Sequence, residues 1–147
     1  MTPEQVFSIV NLIATVGWIA LVILPGRRWV TEIVTSTVVP LLFAVVYVGI
    51  VATTLGRTTG GFSSLEGVAM LFSNPLVLLA GWIHYLAVDL LIGTWEARDA
   101  RERGLTHALL IPCLFLTFMF GPAGWLLYMG VRLTKSSQMR HSLSSVS

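Results

Sequence analysis

Two ionisable side chains, His84 and Asp89, lie inside an apolar run that covers residues 75–95. The run is long enough to cross a bilayer, which takes about 20 residues. An ionised side chain at the bilayer centre costs about 2.5–3.5 kcal/mol even on lenient insertion scales. A helix that carries both groups therefore contains a candidate functional site.

The positions of these two side chains on a helix are compatible with one cavity. At about 100° per residue, His84 points about 140° away from Asp89, so the two do not stack on consecutive turns. They are nevertheless only about 7.5 Å apart along the helix axis. His107 opens the last apolar run, near the predicted membrane level of Glu96. We predict that His84, Asp89 and His107 line one polar pocket and act in catalysis. The predicted substrate-binding residues are Trp82, Tyr85, Glu96, Asn11 and Trp125.

Structural roles and metal ligation are the competing interpretations of these residues. A buried histidine often only hydrogen-bonds a backbone carbonyl, and Asp89 could tie α-helices together through a tyrosine or an asparagine. Trp82 and Trp125 could belong to the aromatic belts of a membrane protein. Two histidines and two carboxylates could ligate zinc or iron. However, no two ligands have H-x-x-x-H or E-x-x-H spacing, so the sequence predicts no cofactor, with a metal at His84, Asp89 and His107 as an open alternative.

The composition predicts an integral membrane protein. Of the 147 residues, 55% are hydrophobic and only 11% are charged, whereas about 25% are charged in a typical soluble domain. Four apolar runs consume most of the chain and leave no room for a soluble catalytic domain. We predict an all-α, four-helix transmembrane bundle that forms one domain over residues 1–135. Its helices cover about 6–24, 33–55, 75–95 and 108–133, and residues 136–147 form a disordered polar tail.

Several local patterns refine this bundle. The segment Ser63-Ser64-Leu65-Glu66 has the spacing of a capping box and predicts a short interfacial helix between helices two and three. Pro40 predicts a kink in helix two. Pro112 and the Gly121-Pro122 pair predict bends in helix four, because proline removes a backbone donor and clashes one turn back.

The charges set expectations for topology and partners. With four crossings, both termini lie on one side, and the nine basic residues divide five to four between the two sides. That bias is too small for the positive-inside rule to assign an orientation. The net charge of +2 reflects basic residues beside membrane spans rather than a nucleic-acid partner. The expected partners are membrane lipid and a hydrophobic substrate, and the chain could form a homo-oligomer.

Three segments and one histidine together resemble a known family. Trp82-Ile83-His84, then Leu86-Ala87-Val88-Asp89-Leu90 and His107, and finally Phe120-Gly121-Pro122-Ala123-Gly124 are similar to the neoxanthin synthase-like proteins of the abscisic-acid-deficiency type. These are small integral membrane proteins of plastids, with bacterial relatives. The chain shows no Arg/Ser-rich transit peptide before its first helix. We therefore expect a bacterial member located in the inner membrane.

The resemblance implies a carotenoid or isoprenoid substrate. The plant reaction converts violaxanthin to neoxanthin: an epoxide on the end ring opens, and a proton leaves the adjoining polyene carbon. That isomerisation needs an acid and a base, for which the resemblance suggests Asp89 and His84. Two alternatives remain open. One is a carotenoid- or lipid-binding protein without catalysis, and the other is a proton or ion pathway along His84, Asp89 and Glu96.

Overall fold

The computed structural model describes residues 1–54 and 56–144, with the side chains described as far as residue 135. Within that part of the chain the protein consists of helices, and no strand occurs. The helices are α1 (Pro3–Ile23), α2 (Val30–Thr54, of which Val30–Val38 is a π-helix), α3 (Leu65–Phe72), α4 (Pro75–Glu102), α5 (His107–Phe120) and α6 (Pro122–Ser144).

Capping residues explain where three of these helices begin. Thr2 and Gln5 form a capping box at α1, and the Asn74 side chain accepts from the backbone of the first turn of α4. Ser64 caps the interfacial helix α3 by accepting from the Gly67 amide at 3.0 Å. The predicted α3 therefore exists, but it begins one residue later than the capping-box spacing implied, because Gly67 rather than Glu66 occupies the third position.

Three helices, α1, α2 and α4, are long and apolar enough to cross a membrane. Their inward faces pack a core that contains Trp18, Phe43, Ile83 and Leu90. The Thr94 hydroxyl of α4 lies 2.8 Å from the Thr35 hydroxyl in the π-helical part of α2. Large apolar side chains on the outward faces are exposed, as expected for surfaces that contact lipid. The all-helical, membrane-compatible architecture is thus confirmed.

The predicted fourth spanning helix is wrong, because α5 and α6 form a helical hairpin. His107 at the start of α5 contacts the Val22 carbonyl near the end of α1. The turn at Gly121 lies against Asp89, the midpoint of α4. Tyr128 of α6 then returns to Asp99 near the end of α4. The hairpin therefore enters the bundle with α5 and leaves it with α6 at the same end.

Helix length and close packing at the turn explain the hairpin. The 14 residues of α5 span only about 21 Å, which is short of the hydrocarbon thickness of about 30 Å. A Cβ on Gly124 would overlap the backbone of Thr117, so the glycine lets α6 fold back closely against α5. Gly121 has φ +45°, a conformation that favours glycine and ends α5 before Pro122. The bend predicted at Gly121-Pro122 is therefore a reversal of chain direction.

The hairpin also changes what was predicted for the tail and the topology. Helix α6 continues to Ser144, where the sequence predicted a disordered tail from residue 136, while positions 145–147 lie outside the described residues. With three crossings, the N-terminal end of α1 and the C-terminal end of α6 lie on opposite sides. Pro112 lies inside α5, which continues as a helix through it.

The revised topology separates the basic residues strongly. The end of the bundle where α1 and α4 finish and the hairpin opens receives eight of the nine, whereas Arg57 lies at the opposite end. The eight are Arg27, Arg28, Arg98, Arg101, Arg103, Arg132, Lys135 and Arg140. Since cytoplasmic segments are enriched in lysine and arginine, we expect the hairpin to enter the membrane from the cytoplasmic side.

Candidate functional site

The carboxylate of Asp89 lies at the turn of the hairpin, in the middle of α4. Asp89 is only 5% exposed, and its side chain packs against Gly121. A Cβ on Gly121 would approach the Asp89 Oδ1 to 2.8 Å, so the missing side chain provides the space for the carboxylate. Among the described residues, the buried Asp89 Oδ2 has no hydrogen-bond partner. Such an unsatisfied buried polar atom typically costs about 1–3 kcal/mol.

Tyr85 lies one helical turn before Asp89 and brings its hydroxyl close to the same carboxylate. The two side chains are near enough to interact electrostatically. The acceptor with acceptable hydrogen-bond geometry is instead the Met119 carbonyl in the last turn of α5, at 3.5 Å. The Tyr85 hydroxyl therefore lies at the edge of the site, within reach of both the Asp89 carboxyl group and the Met119 carbonyl.

A row of aromatic side chains extends from Tyr85 towards the end of the bundle where α1 and α4 begin. The Trp82 ring lies 5.3 Å from the Tyr85 ring and 5.9 Å from the Phe7 ring of α1. The Trp82 indole also donates to the Asn11 side chain at 3.1 Å. A groove of about 310 Å³ lies at the far end of the row, between Phe7, Leu78 and Trp82. Three predicted substrate-binding residues, Asn11, Trp82 and Tyr85, thus follow one another along this row, and of the three Tyr85 is the one next to Asp89.

Glu96 occupies the interior of the bundle two turns beyond Asp89. The residue is completely buried, and its carboxylate accepts from the Thr117 hydroxyl of α5 at 3.0 Å. This hydrogen bond joins α4 to the hairpin. The sequence predicted that Glu96 contacts substrate, whereas in the structure its carboxylate is bonded to Thr117. Thr117 was missed by the sequence analysis, because a single hydroxyl in an apolar run has no distinctive spacing.

His84 lies on a different face of α4 from Asp89. Its ring is exposed and lies 5.9 Å from the ring of Tyr47 on α2. It lines a cavity of about 530 Å³ between α2, α3, α4 and the loop that includes Phe62. The 140° rotation expected from the helical wheel is therefore maintained, and no bend in α4 turns the imidazole towards Asp89.

His107 also lies away from the Asp89 carboxylate, at the opposite end of α5 from the turn at Gly121. The His107 Nε2 donates to the Val22 carbonyl at 2.8 Å, at the basic end of the bundle. Trp125 is exposed on α6. The structure thus distributes His84, Asp89 and His107 over three places instead of one shared cavity. Their catalytic roles, and substrate binding by Glu96 and Trp125, stay predictions.

A second carboxylate cluster, centred on Asp99, was not anticipated. The Asp99 Oδ2 accepts from the Tyr128 hydroxyl at 2.6 Å, from Arg103 Nε at 2.8 Å and from Arg132 Nε at 3.0 Å. The Arg132 guanidinium also lies over the Trp95 ring, 5.7 Å from its centroid. The i, i+4 spacing of Asp99 and Arg103 was a detectable signal for one of these contacts. The other two require the hairpin.

Metal ligands do not cluster in the part of the chain that the structure describes. No three side chains of histidine, cysteine, aspartate or glutamate come together in an arrangement that could hold a metal ion among those residues. Cys113 is a buried free thiol in α5 whose Sγ donates to the Leu109 carbonyl at 3.3 Å. The Asp89 site itself presents a carboxyl group and a neighbouring phenol.

Comparison with known proteins supports the assignment that the Trp-Ile-His and Ala-Val-Asp-Leu segments suggested. No curated protein and no solved structure matches the chain. The model of the ABA DEFICIENT 4-like family matches residues 5–128, a range that contains most of α1, all of α2 to α5 and the Asp89 site. The protein therefore belongs to the ABA DEFICIENT 4-like family of membrane-associated proteins.

Proposed function

We propose that this protein binds a carotenoid or related isoprenoid within the membrane and isomerises it by acid–base chemistry at Asp89. The unpartnered, buried Asp89 Oδ2 at the hairpin turn is the observation that carries the proposal. An unsatisfied polar atom destabilises the fold, so its presence in an apolar bundle is most simply explained by a ligand that completes its hydrogen bonding. Family membership supports the substrate class.

The hairpin reaches only to the middle of α4, which provides a route for such a substrate. Beyond the turn at Gly121, the face of α4 that α5 and α6 would cover is left open to the membrane. Trp82 and Phe7 line this open face, and Tyr85 stands between them and Asp89. A rod-shaped polyene could stack along the aromatic row with its oxygenated end ring at the carboxyl group. Sideways entry from the bilayer would suit a substrate that does not dissolve in water.

The proposed reaction balances with one carboxyl group. Protonated Asp89 donates its proton to the epoxide oxygen, the carbon–oxygen bond at the polyene end breaks, and the oxygen stays on the ring as a tertiary alcohol. The resulting carboxylate accepts the proton that leaves the adjoining polyene carbon, which forms the allene. No redox equivalent is consumed. Asp89 thus takes both the acid role and the base role that the sequence analysis divided between Asp89 and His84.

The test compares the wild-type protein with Asp89→Asn and His84→Ala in a host that supplies an epoxy-carotenoid. Product is measured by chromatography of the extracted pigments. Asparagine keeps the shape but cannot cycle a proton, so we expect product formation to fall at least about 100-fold, the low end for general acid–base catalysis. His84→Ala should retain turnover. Loss of turnover in His84→Ala with normal pigment binding would instead identify His84 as the base.

Binding without catalysis is a second candidate function, supported by the distance between the faces that carry His84 and Asp89. In that case the wild-type protein co-purifies with pigment but never converts it. A proton pathway is a third, because Asp89, Glu96 and Asp99 are all buried along α4 beside the hairpin. Proton flux into liposomes that is lost in Glu96→Gln would favour it. A bacterial inner-membrane location and a homo-oligomeric state stay predictions.

A further inference from the structure

A basic recess lies at the end of the bundle opposite to the aromatic groove. It has a volume of about 570 Å³ and is formed where the end of α1, the 24–27 loop, the last turns of α4 and the start of α5 meet. Three basic side chains, those of Arg27, Arg101 and His107, belong to its lining. The Asp89 site shares no lining residue with it.

The two arginines of the recess differ in the contacts that their guanidinium groups make within the protein. The Arg101 guanidinium donates to the Thr31 hydroxyl and pairs with Glu32, each at 3.2 Å. The Arg27 side chain has no hydrogen bond or ion pair within the described residues, although it lines a concave surface. The His107 ring is oriented by its bond to the Val22 carbonyl. The recess therefore carries an excess of positive charge, with Glu32 as the paired acid.

The remaining lining is apolar and lies at the ends of the candidate spanning helices α1 and α4 and at the start of α5. Ile23, Leu24, Leu105 and Leu110 form this part of the recess. A free inorganic ion would leave these side chains uncovered, whereas a glycerol backbone and the start of an acyl chain would cover them. Eight of the nine basic residues also lie at this end, and anionic lipid headgroups are attracted to such a concentration of positive charge.

We propose that this recess binds the phosphate-bearing headgroup of an anionic phospholipid, with Arg27 and Arg101 contacting the phosphate oxygens. Arginine suits this role because its planar donors match two phosphate oxygens at once. The site would hold the α1 end and the α5 start at a fixed depth in the bilayer. It is separate from the Asp89 chemistry, so its test needs no turnover.

The experiment measures lipid retention on the purified full-length protein. The protein is exchanged into mixed micelles that contain phosphatidylglycerol and phosphatidylcholine, and bound lipid is counted by native mass spectrometry. We expect the wild-type protein to retain phosphatidylglycerol selectively. Arg27→Gln removes a charge-assisted contact without breaking a bond within the protein, and we expect retention to fall about tenfold. Arg101→Gln should reduce retention similarly.

Arg28→Gln is the matched control, because it removes the same charge from the next residue, which does not line the recess. It should retain phosphatidylglycerol like the wild type. Equal losses in Arg27→Gln and Arg28→Gln would overturn the proposal, since diffuse surface charge would then explain the binding. Displacement of the lipid by millimolar glycerol phosphate or inorganic phosphate would overturn the lipid assignment and identify a soluble phosphate compound as the ligand.

Discussion

Asp89 and Asp99 lie on the same helix, about 15 Å apart along its axis, and have opposite surroundings. The Asp99 Oδ2 accepts from Tyr128, Arg103 and Arg132, next to the basic end of the bundle. The Asp89 Oδ2 has no partner among the described residues and lies at the middle of α4. A carboxylate whose partners all come from the protein stabilises the fold. One that lacks a partner is available to a ligand.

The first prediction concerns the depth of the two carboxylates in the membrane. It has the largest expected effect, because each cysteine is expected to be either labelled or not labelled. In a Cys113→Ser background, single cysteines replace Thr2, Val88 or Arg98, which are exposed in the structure. A membrane-impermeant maleimide should label positions 2 and 98 from opposite sides of the membrane. Position 88 should stay unlabelled from either side, since it faces lipid near the level of Asp89.

A cysteine replacing Lys135 extends this test to the hairpin. It should be labelled from the same side as position 98, because α6 returns to the end of the bundle where α4 finishes. Labelling of positions 2 and 135 from one side would restore a fourth crossing and remove the hairpin.

A reciprocal pair of variants separates the functional carboxylate from the structural one. Asp89→Asn should reduce product formation by at least about 100-fold, with little loss of thermal stability, because no hydrogen bond of Oδ2 is broken. Asp99→Asn should retain turnover but lower the free energy of unfolding by about 2 kcal/mol, since it removes the charge that strengthens three hydrogen bonds. Both quantities are measured on the same preparations. Equal effects of the two variants on turnover would contradict the comparison.

Gly121→Ala tests whether the hairpin turn shapes the Asp89 site. The alanine must adopt φ +45° and bring its Cβ within 2.8 Å of the Asp89 Oδ1. We expect a loss of about 2 kcal/mol in unfolding free energy from backbone strain, together with reduced turnover. Gly130→Ala in α6 is the control, because nothing lies within 4 Å of its added Cβ. That variant should be as stable as the wild type or about 0.5–1 kcal/mol more stable.

Thr117→Val is the mildest change and tests the contact between Glu96 and the hairpin. Valine keeps the shape of threonine but leaves the buried carboxylate of Glu96 without the donor at 3.0 Å. We expect the free energy of unfolding to fall by about 1–2 kcal/mol. Turnover should change less than in Asp89→Asn. If Thr117→Val instead abolishes turnover at normal stability, Glu96 would join Asp89 in the chemistry.

The spanning helices could be predicted from the sequence, and the hairpin could not. Long apolar runs specify α1, α2 and α4, and the insertion cost of a mid-helix carboxylate makes Asp89 a candidate whose function stays a prediction. The run 108–133 was taken as one helix because hydropathy does not show chain direction. What decides the reversal is the close contact of Gly124 with Thr117, which is a tertiary contact. The clusters at Asp99 and Glu96 depend on that reversal.

The direction of the hairpin also bears on how the chain enters its membrane. Lys135 and Arg140 belong to the second half of the returning helix α6, which lies on the same side as the loop that precedes α5. Synthesis of α5 and α6 therefore requires no polar segment to be carried across the hydrocarbon layer. The pair could fold into the bundle after α1, α2 and α4 have been placed, as a late step of assembly. Completion of the Asp89 site, which needs Gly121, would then mark the end of biogenesis.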